Sequence, residues 1–219
     1  MKSTPALKGI IFDLDGTLAD TLPVCFTAFR RVFLKYLGTN LSDEEIAAYF
    51  GVNEEGIFQR AVPTQWEACL EMYLEEYEKI HELCKKPFEG IETVLSYCQQ
   101  NDIALAIVTG KGSRSAEISL KHLNLNNYFA LVETGSARGG IKPMGIKSVL
   151  EQWNLAANCV AYIGDSVSDV ADAKEVGVIP LAAAWAATAN SEQLKAMAPT
   201  ETFTTVDRLI EWISDLVEK

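Results

Sequence analysis

Short unbroken apolar runs alternate along the chain with longer stretches in which apolar residues recur every three or four positions. The runs Gly9-Ile10-Ile11-Phe12, Ile103-Ala104-Leu105-Ala106-Ile107-Val108, Val160-Ala161-Tyr162-Ile163 and Val178-Ile179-Pro180-Leu181 read as buried strands, with Ala130-Leu131-Val132 a weaker one. An unbroken apolar run suits a strand covered on both faces. Helical stretches between such runs imply an α/β fold, a parallel sheet with helices on each side. In sheets of that kind ligands sit beyond the carboxyl ends of the strands.

One connection breaks the rhythm. Between Thr17 and Ile103 the pattern is helical. Ser42-x-x-Glu45 and Thr64-x-x-Glu67 have the spacing of capping boxes, in which side chains satisfy the free amides of a helix start. After Thr64, apolar residues fall at Trp66, Leu70, Tyr73, Leu74, Tyr77, Ile80 and Cys84, one face of a helix. Lys85-Lys86-Pro87 breaks that helix and Glu89-Gly90-Ile91 opens another. Residues 19–86 are therefore expected to form an inserted all-α subdomain, with 1–18 and 87–219 forming the core. Asn190-x-x-Gln193 and Thr204-x-x-Asp207 open the last two helices.

The 219 residues, 48% of them hydrophobic, suffice for one full domain and a smaller one. A formal net charge of -11 repels nucleic acid and anionic lipid, so neither is expected as a partner. No apolar stretch approaches the roughly 20 residues that span a bilayer, and Met1-Lys2-Ser3-Thr4-Pro5 is expected to carry no signal-peptide core. The five cysteines, irregularly spaced and without a Cys-x-x-Cys, suit reduced thiols in a cytoplasmic protein rather than a zinc site. His81 and His122 fall in helical patterns and are expected on helix surfaces.

Chemistry gathers at the strand ends. Asp13 and Asp15 follow the first run, two residues apart, so their side chains leave an extended backbone on one side. Adjacent carboxylates repel unless a proton or a cation intervenes, and a hard divalent cation such as Mg2+ suits them. Asp-Gly-Thr is also ordinary turn chemistry; its place directly after a strand is what favours a site. Thr109 and Gly110 end the second strand, where a hydroxyl and an open amide suit a phosphate oxygen, although a plain turn reads the same way. Lys142, after Arg138-Gly139-Gly140, offers the cation that crowded carboxylates and a phosphate dianion require. Asp165 and Asp169 fall on one face of a first helical turn if a helix begins near Ser166. That position fits helix capping, and equally a metal ligand at Asp165 supported by Asp169.

Taken in order, Asp13-x-Asp15-Gly16-Thr17, Thr109, Lys142 and Gly164-Asp165-x-x-x-Asp169 resemble the haloacid dehalogenase superfamily, and with the helical insertion its phosphoglycolate phosphatase-like branch. The resemblance spans nearly the whole chain. It implies a Rossmann-like core under an all-α cap, and a Mg2+-dependent phosphatase acting on a small phosphorylated metabolite through an aspartyl-phosphate. By this resemblance Asp13 is the nucleophile and Asp15 the general acid and base. Mg2+ is held by the carboxylates of Asp13 and Asp165 and the backbone carbonyl of Asp15. Gly16, Thr17, Thr109, Gly110 and Lys142 hold the phosphoryl group, and Asp169 orients Lys142 or a water.

The chain departs from the family pattern at three places. Gly110, followed by Lys111, stands where Asn is frequent; Lys142-Pro143-Met144-Gly145 replaces Lys-Pro-x-Pro; and Asp172 replaces a small alanine. A sugar phosphomutase is the alternative enzyme, but its branch tends to carry Glu-Asp-Ser before a Gly, where this chain has Gly164 and Asp169. A dehalogenase would leave Asp15 without a role. A non-catalytic binding protein on the same fold would be free to lack one of these groups, and none is lacking. The loop Gly51-Val52-Asn53-Glu54-Glu55-Gly56 after Phe50, with Arg60 close by, is expected to face the substrate.

Overall fold

A computed structural model describes residues 6–217. Residues 1–5, with the expectation about a signal-peptide core, and 218–219 lie outside the described residues. Strands β1 (Gly9–Phe12), β2 (Ala104–Val108), β3 (Leu131–Glu133), β4 (Val160–Gly164), β5 (Ile179–Ala183) and β6 (Glu201–Phe203) form one sheet in the order β3-β2-β1-β4-β5-β6. Every pairing is parallel. Successive side chains enter opposite layers, as strand geometry requires. Ile10, Phe12, Leu105, Ile107, Ala161 and Ile163 join one apolar cluster, while Ile11, Ala106, Val108, Val160 and Tyr162 join another. Both faces are thus dry, which is why the central strands are apolar throughout. β6 was not expected: it is three residues long and only Phe203 is buried, so it leaves no apolar run to read.

The strand order decides where chemistry collects. β1 lies between β2 and β4, with Phe12 opposite Ile107 on one side and Ile163 on the other. Asp13 therefore emerges between the ends of the strands that deliver Thr109 and Asp165, and the Asp13 amide donates to the Ile163 carbonyl at 2.9 Å. This is also where the sheet order reverses, the usual ligand crevice of open α/β sheets.

The insertion holds α1 (Leu22–Leu37), α2 (Asp43–Ala47), α3 (Glu54–Ala61) and α4 (Trp66–Ile80), with no strand between β1 and β2 among the described residues. The Ser42–Glu45 capping box forms, whereas Thr64 caps nothing: α4 begins at Trp66, and Gln65 stands at its cap without a side-chain bond. Aromatic rings fill the interior, with Phe29 and Tyr73 centroids 4.4 Å apart and Phe33 and Phe58 5.8 Å apart. The apolar interior is continuous with one face of the sheet. The insertion leaves and re-enters the core at one place, where the Phe88 amide donates to the Leu18 carbonyl at 3.0 Å.

The remaining helices are α5 (Ile91–Gln100), α6 (Ser113–His122), α7 (Lys142–Trp153), α8 (Val167–Val176), α9 (Ser191–Ala196) and α10 (Val206–Val217). Val94, Leu95, Leu209 and Ile213 from α5 and α10 cover one sheet face; Ile146, Val149 and Ala173 from α7 and α8 cover the other. His81 departs from its expected surface position. It is fully buried just after α4, 3.1 Å from Ser119 Oγ, with its ring stacked 4.8 Å from that of His122. The packing of α4 against α6 buries it, and helical spacing alone does not reveal which face meets a neighbour. All five cysteines are unpaired.

Because the insertion shares its apolar core with the sheet, damage inside it should be felt by the whole chain. Phe33→Ala removes a fully buried ring and is expected to cost about 3–5 kcal/mol in urea unfolding. Ring fluorescence and far-UV dichroism should report one coincident transition; separate transitions would show that the insertion unfolds by itself.

Candidate active site

The site is organised around the ammonium of Lys142. This residue opens α7 ahead of Pro143, which suits the first helical turn because its missing N–H is not needed there. A cation is poorly placed at a helix start. It is held by two carboxylates: Lys142 Nζ donates to Asp13 Oδ2 at 2.7 Å and to Asp169 Oδ1. Burial opposes the charge on Lys142, but Asp13 and Asp169 outweigh it and hold its pKa well above the usual lysine range. Asp169 is fully buried, and burial disfavours its charge; Lys142 and the bonds from Ser166 nonetheless hold its carboxyl below the ordinary range.

Asp169 has two jobs. It completes a capping box with Ser166 at the start of α8, and it braces Lys142. The Tyr162 hydroxyl, from the middle of β4, lies 3.0 Å from Asp169 Oδ1 and 3.0 Å from the Val108 carbonyl. Sequence reasoning missed Tyr162, although it is the one hydroxyl in an otherwise apolar strand.

Asp165 follows β4 beside this group. Carboxylate oxygens of Asp13, Asp165 and Asp169 lie within 4.8 Å of one another. Burial, then the charges of Asp13 and Asp169, push the Asp165 carboxyl up to about 8. Burial lifts Asp13 to about 6 against the pull of Lys142, with Asp169 adding to the rise. Three acidic side chains this close, two buried and one half-buried, offer the oxygen donors that a hard divalent cation takes. Gly16 makes the approach possible: its φ is +74°, and a Cβ there would lie 2.1 Å from Asp165 Oδ2.

Asp15 shares the cavity with Asp13 but takes different partners. Thr21 Oγ1 donates to Asp15 Oδ1, and Lys111 Nζ lies 3.3 Å from the same oxygen. Lys111 is itself buried, donating to Cys25 Sγ at 3.2 Å, 3.9 Å from Glu54 Oε1 and 4.4 Å from the centre of the Tyr77 ring. Burial works against its charge, yet Asp15 and its other neighbours raise its pKa well above the usual value. Burial and Asp15 push the Cys25 thiol up to about 12, so it is neutral. Glu54, from the insertion, accepts the Gly112 amide at 2.7 Å and the Ser115 hydroxyl at the start of α6. Beside it, the Asn53 amide donates to Ser136 O at 3.1 Å and Asn53 Nδ2 to Gly135 O at 3.2 Å. The insertion is thereby fastened over the strand ends.

These groups enclose a cavity of about 520 Å³. Asp13, Asp15, Thr109, Gly110, Lys142 and Asp165 all line it, as do Gly51, Val52, Asn53 and Glu54 of the expected loop. Asp169 lies beneath Lys142. Gly16 and Thr17 are not among the lining residues: Gly16 makes room for Asp165, and Thr17 is fully buried, its carbonyl accepting the Trp185 indole N–H at 3.0 Å. Arg60 is exposed and away from the cavity. A Cβ at Gly110 would meet nothing nearer than Lys142 Cε at 4.0 Å, so no close approach demands glycine there. Asp172 lines the rim, with its carboxyl raised by burial.

The haloacid dehalogenase-like hydrolase family matches residues 10–183. The chain is similar to a phosphorylated carbohydrates phosphatase of Thermotoga maritima, 31% identical over 183 residues, with 78% of this chain and 82% of that one covered. It is also similar to the pyrophosphatase PpaX of Oceanobacillus iheyensis, 24% identical with 97% and 96% covered. Among solved structures, a haloacid dehalogenase-like family hydrolase from Streptococcus pneumoniae superposes with a TM-score of 0.77 at 25% identity, covering 94% of this chain and 98% of that one.

The raised carboxyls make stability depend on pH. A folded carboxyl at about 8 stays protonated where the unfolded chain has lost its proton. The stability it confers is present below the unfolded carboxylate value and is lost as pH rises through about 8. His81, whose pKa burial lowers, acts in the opposite sense only below about pH 6.5. In a chelator, the Tm of the unaltered protein is expected to fall relative to Asp165→Asn between about pH 6.5 and 8.5. A difference that stays flat or grows with pH would contradict the assignment.

Proposed function

The chain belongs to the haloacid dehalogenase-like hydrolases, and we propose that it is a Mg2+-dependent phosphatase that hydrolyses a small phosphomonoester through an aspartyl-phosphate on Asp13. The observation that carries this reading is the buried Asp13–Lys142–Asp169 chain beside Asp165 at the edge of the cavity. In this reading residues 19–86 act as a cap that shields the reaction from water, fastened through Asn53 and Glu54. The unpaired cysteines support a reducing, cytoplasmic setting.

The Asp13 carboxylate attacks phosphorus while the bond to the leaving oxygen breaks, and the Asp15 carboxyl gives that oxygen its proton. Asp15 then takes a proton from water as the water attacks phosphorus; the bond to Asp13 breaks and inorganic phosphate leaves. Thr109 and Lys142 stabilise the phosphoryl oxygens as charge builds on them. Asp169 and Tyr162 keep Lys142 in place. The Asp13 and Asp165 carboxylates and the Asp15 backbone carbonyl would hold Mg2+, which when bound offsets charge and orients the phosphoryl group.

Purified protein should release p-nitrophenol from p-nitrophenyl phosphate when Mg2+ is present, stop when a chelator is added, and recover with excess Mg2+. Asp13→Asn should lower kcat by about 10³-fold or more, and Lys142→Ala by about 10²–10³-fold. Asp13→Asn protein with near-normal kcat would remove the nucleophile from this reading.

A further inference from the structure

The groups used for phosphoryl transfer occupy one end of the cavity. Beyond Asp15 the wall is built by the insertion, by Leu22, Cys25 and Phe29 of α1 and by Phe50, Val52 and Ile57. Phe50, 40% exposed, stacks on Phe26 at 5.7 Å with the rings nearly parallel and lies 6.2 Å from Phe29. With Leu22, Phe29, Phe50, Val52 and Ile57 lining it, this wall is apolar and partly aromatic.

Charge in the same space is negative or already paired. Leaving aside Asp13 and Asp165, which would hold Mg2+, three acidic side chains line the cavity, those of Asp15, Glu54 and Asp172, against two ammonium groups, Lys111 and Lys142. Lys142 belongs to the phosphoryl end. Lys111 is enclosed by Asp15, Glu54, Cys25 and Tyr77. An ammonium between two carboxylates in a poorly solvated site has little charge left for a ligand anion. Drawing it away would take from Asp15 and Glu54 their shared cation, which is costly in a poorly solvated site. Among the described residues no arginine lines the cavity; Arg60 and Arg138 are exposed outside it.

We infer that the substrate's leaving group is an uncharged alcohol with an apolar body, best an aromatic ring, and that a second anionic group on it is rejected. This rests on the phosphatase reading and narrows it. Pyrophosphate, carboxylated esters and bisphosphates all carry the extra negative charge that this wall does not compensate.

A matched pair of esters tests it: 4-methylbenzyl phosphate and 4-carboxybenzyl phosphate, alike in shape and leaving oxygen but different in charge. Their binding to Asp13→Asn protein with Mg2+, read by calorimetry, does not depend on turnover. The neutral ester is expected to bind at least about tenfold more tightly. Equal or tighter binding of the carboxylate, or no binding of the neutral ester, overturns the inference. On the unaltered enzyme, relative kcat/KM for the two esters gives the same ranking without a variant. Turnover of p-nitrophenyl phosphate is read alongside. If it is absent while the neutral preference persists, the phosphatase reading fails and the pocket assignment stands; if it is present while the carboxylate is preferred, the reverse holds. Phe50→Ser is expected to cut the affinity ratio of 4-methylbenzyl over methyl phosphate about tenfold, and an unchanged ratio would remove the aromatic wall from the account.

Discussion

Everything at the strand ends depends on one ammonium group held between two buried carboxylates. Asp13, Asp165 and Asp169 crowd together because adjacent parallel strands end, and the helix after one of them begins, at the same edge. Such a crowd is not stable unless positive charge enters it. Lys142 supplies that charge from the first turn of α7, a place where the helix dipole disfavours it. The pair and the fold therefore support one another: the sheet order brings the carboxylates together, and the carboxylates fix the lysine. Asp169 adds economy by capping α8 with the same side chain that braces Lys142.

The arrangement is repeated on the other side of the cavity. Lys111 lies between Asp15 of the core and Glu54 of the insertion. Asp15 is the residue assigned to proton transfer, and Glu54 also caps the start of α6. The fastening of the insertion and the position of Asp15 thus share one cation, while the far wall is shaped by apolar side chains.

How much of this was legible in the sequence follows from the geometry. Asp13, Asp15, Thr109, Lys142 and Asp165 stand at strand ends or a helix start, and the strand ends of a parallel sheet converge, so their order along the chain already implied their meeting. The period of the sequence changes near Thr17 and again near Pro87, and the Phe88–Leu18 bond lies at that place. Lys111 was not legible. In the sequence it is one more charged loop residue, and its partners come from α1, α3 and α4, whose packing no local spacing encodes. The same holds for Thr21, and for the bonds Glu54 makes to Gly112 and Ser115, although Glu54 stood in the loop expected to face the substrate. The family resemblance gave Thr17 a place at the phosphoryl group, and the structure buries its side chain. Arg60 looked close to the substrate loop because it follows it in sequence, yet α3 carries it to the outside.

The most direct test is chemical identification of the phosphorylated enzyme. Protein mixed with substrate and Mg2+, quenched in acid within the first turnover and digested, is analysed by mass spectrometry. The account predicts a single phosphoryl group on the peptide containing Asp13, labile to hydroxylamine as an acyl phosphate should be. A phosphoryl group on Asp165, Asp169 or a serine, or steady turnover with Asp13 never modified, would contradict it.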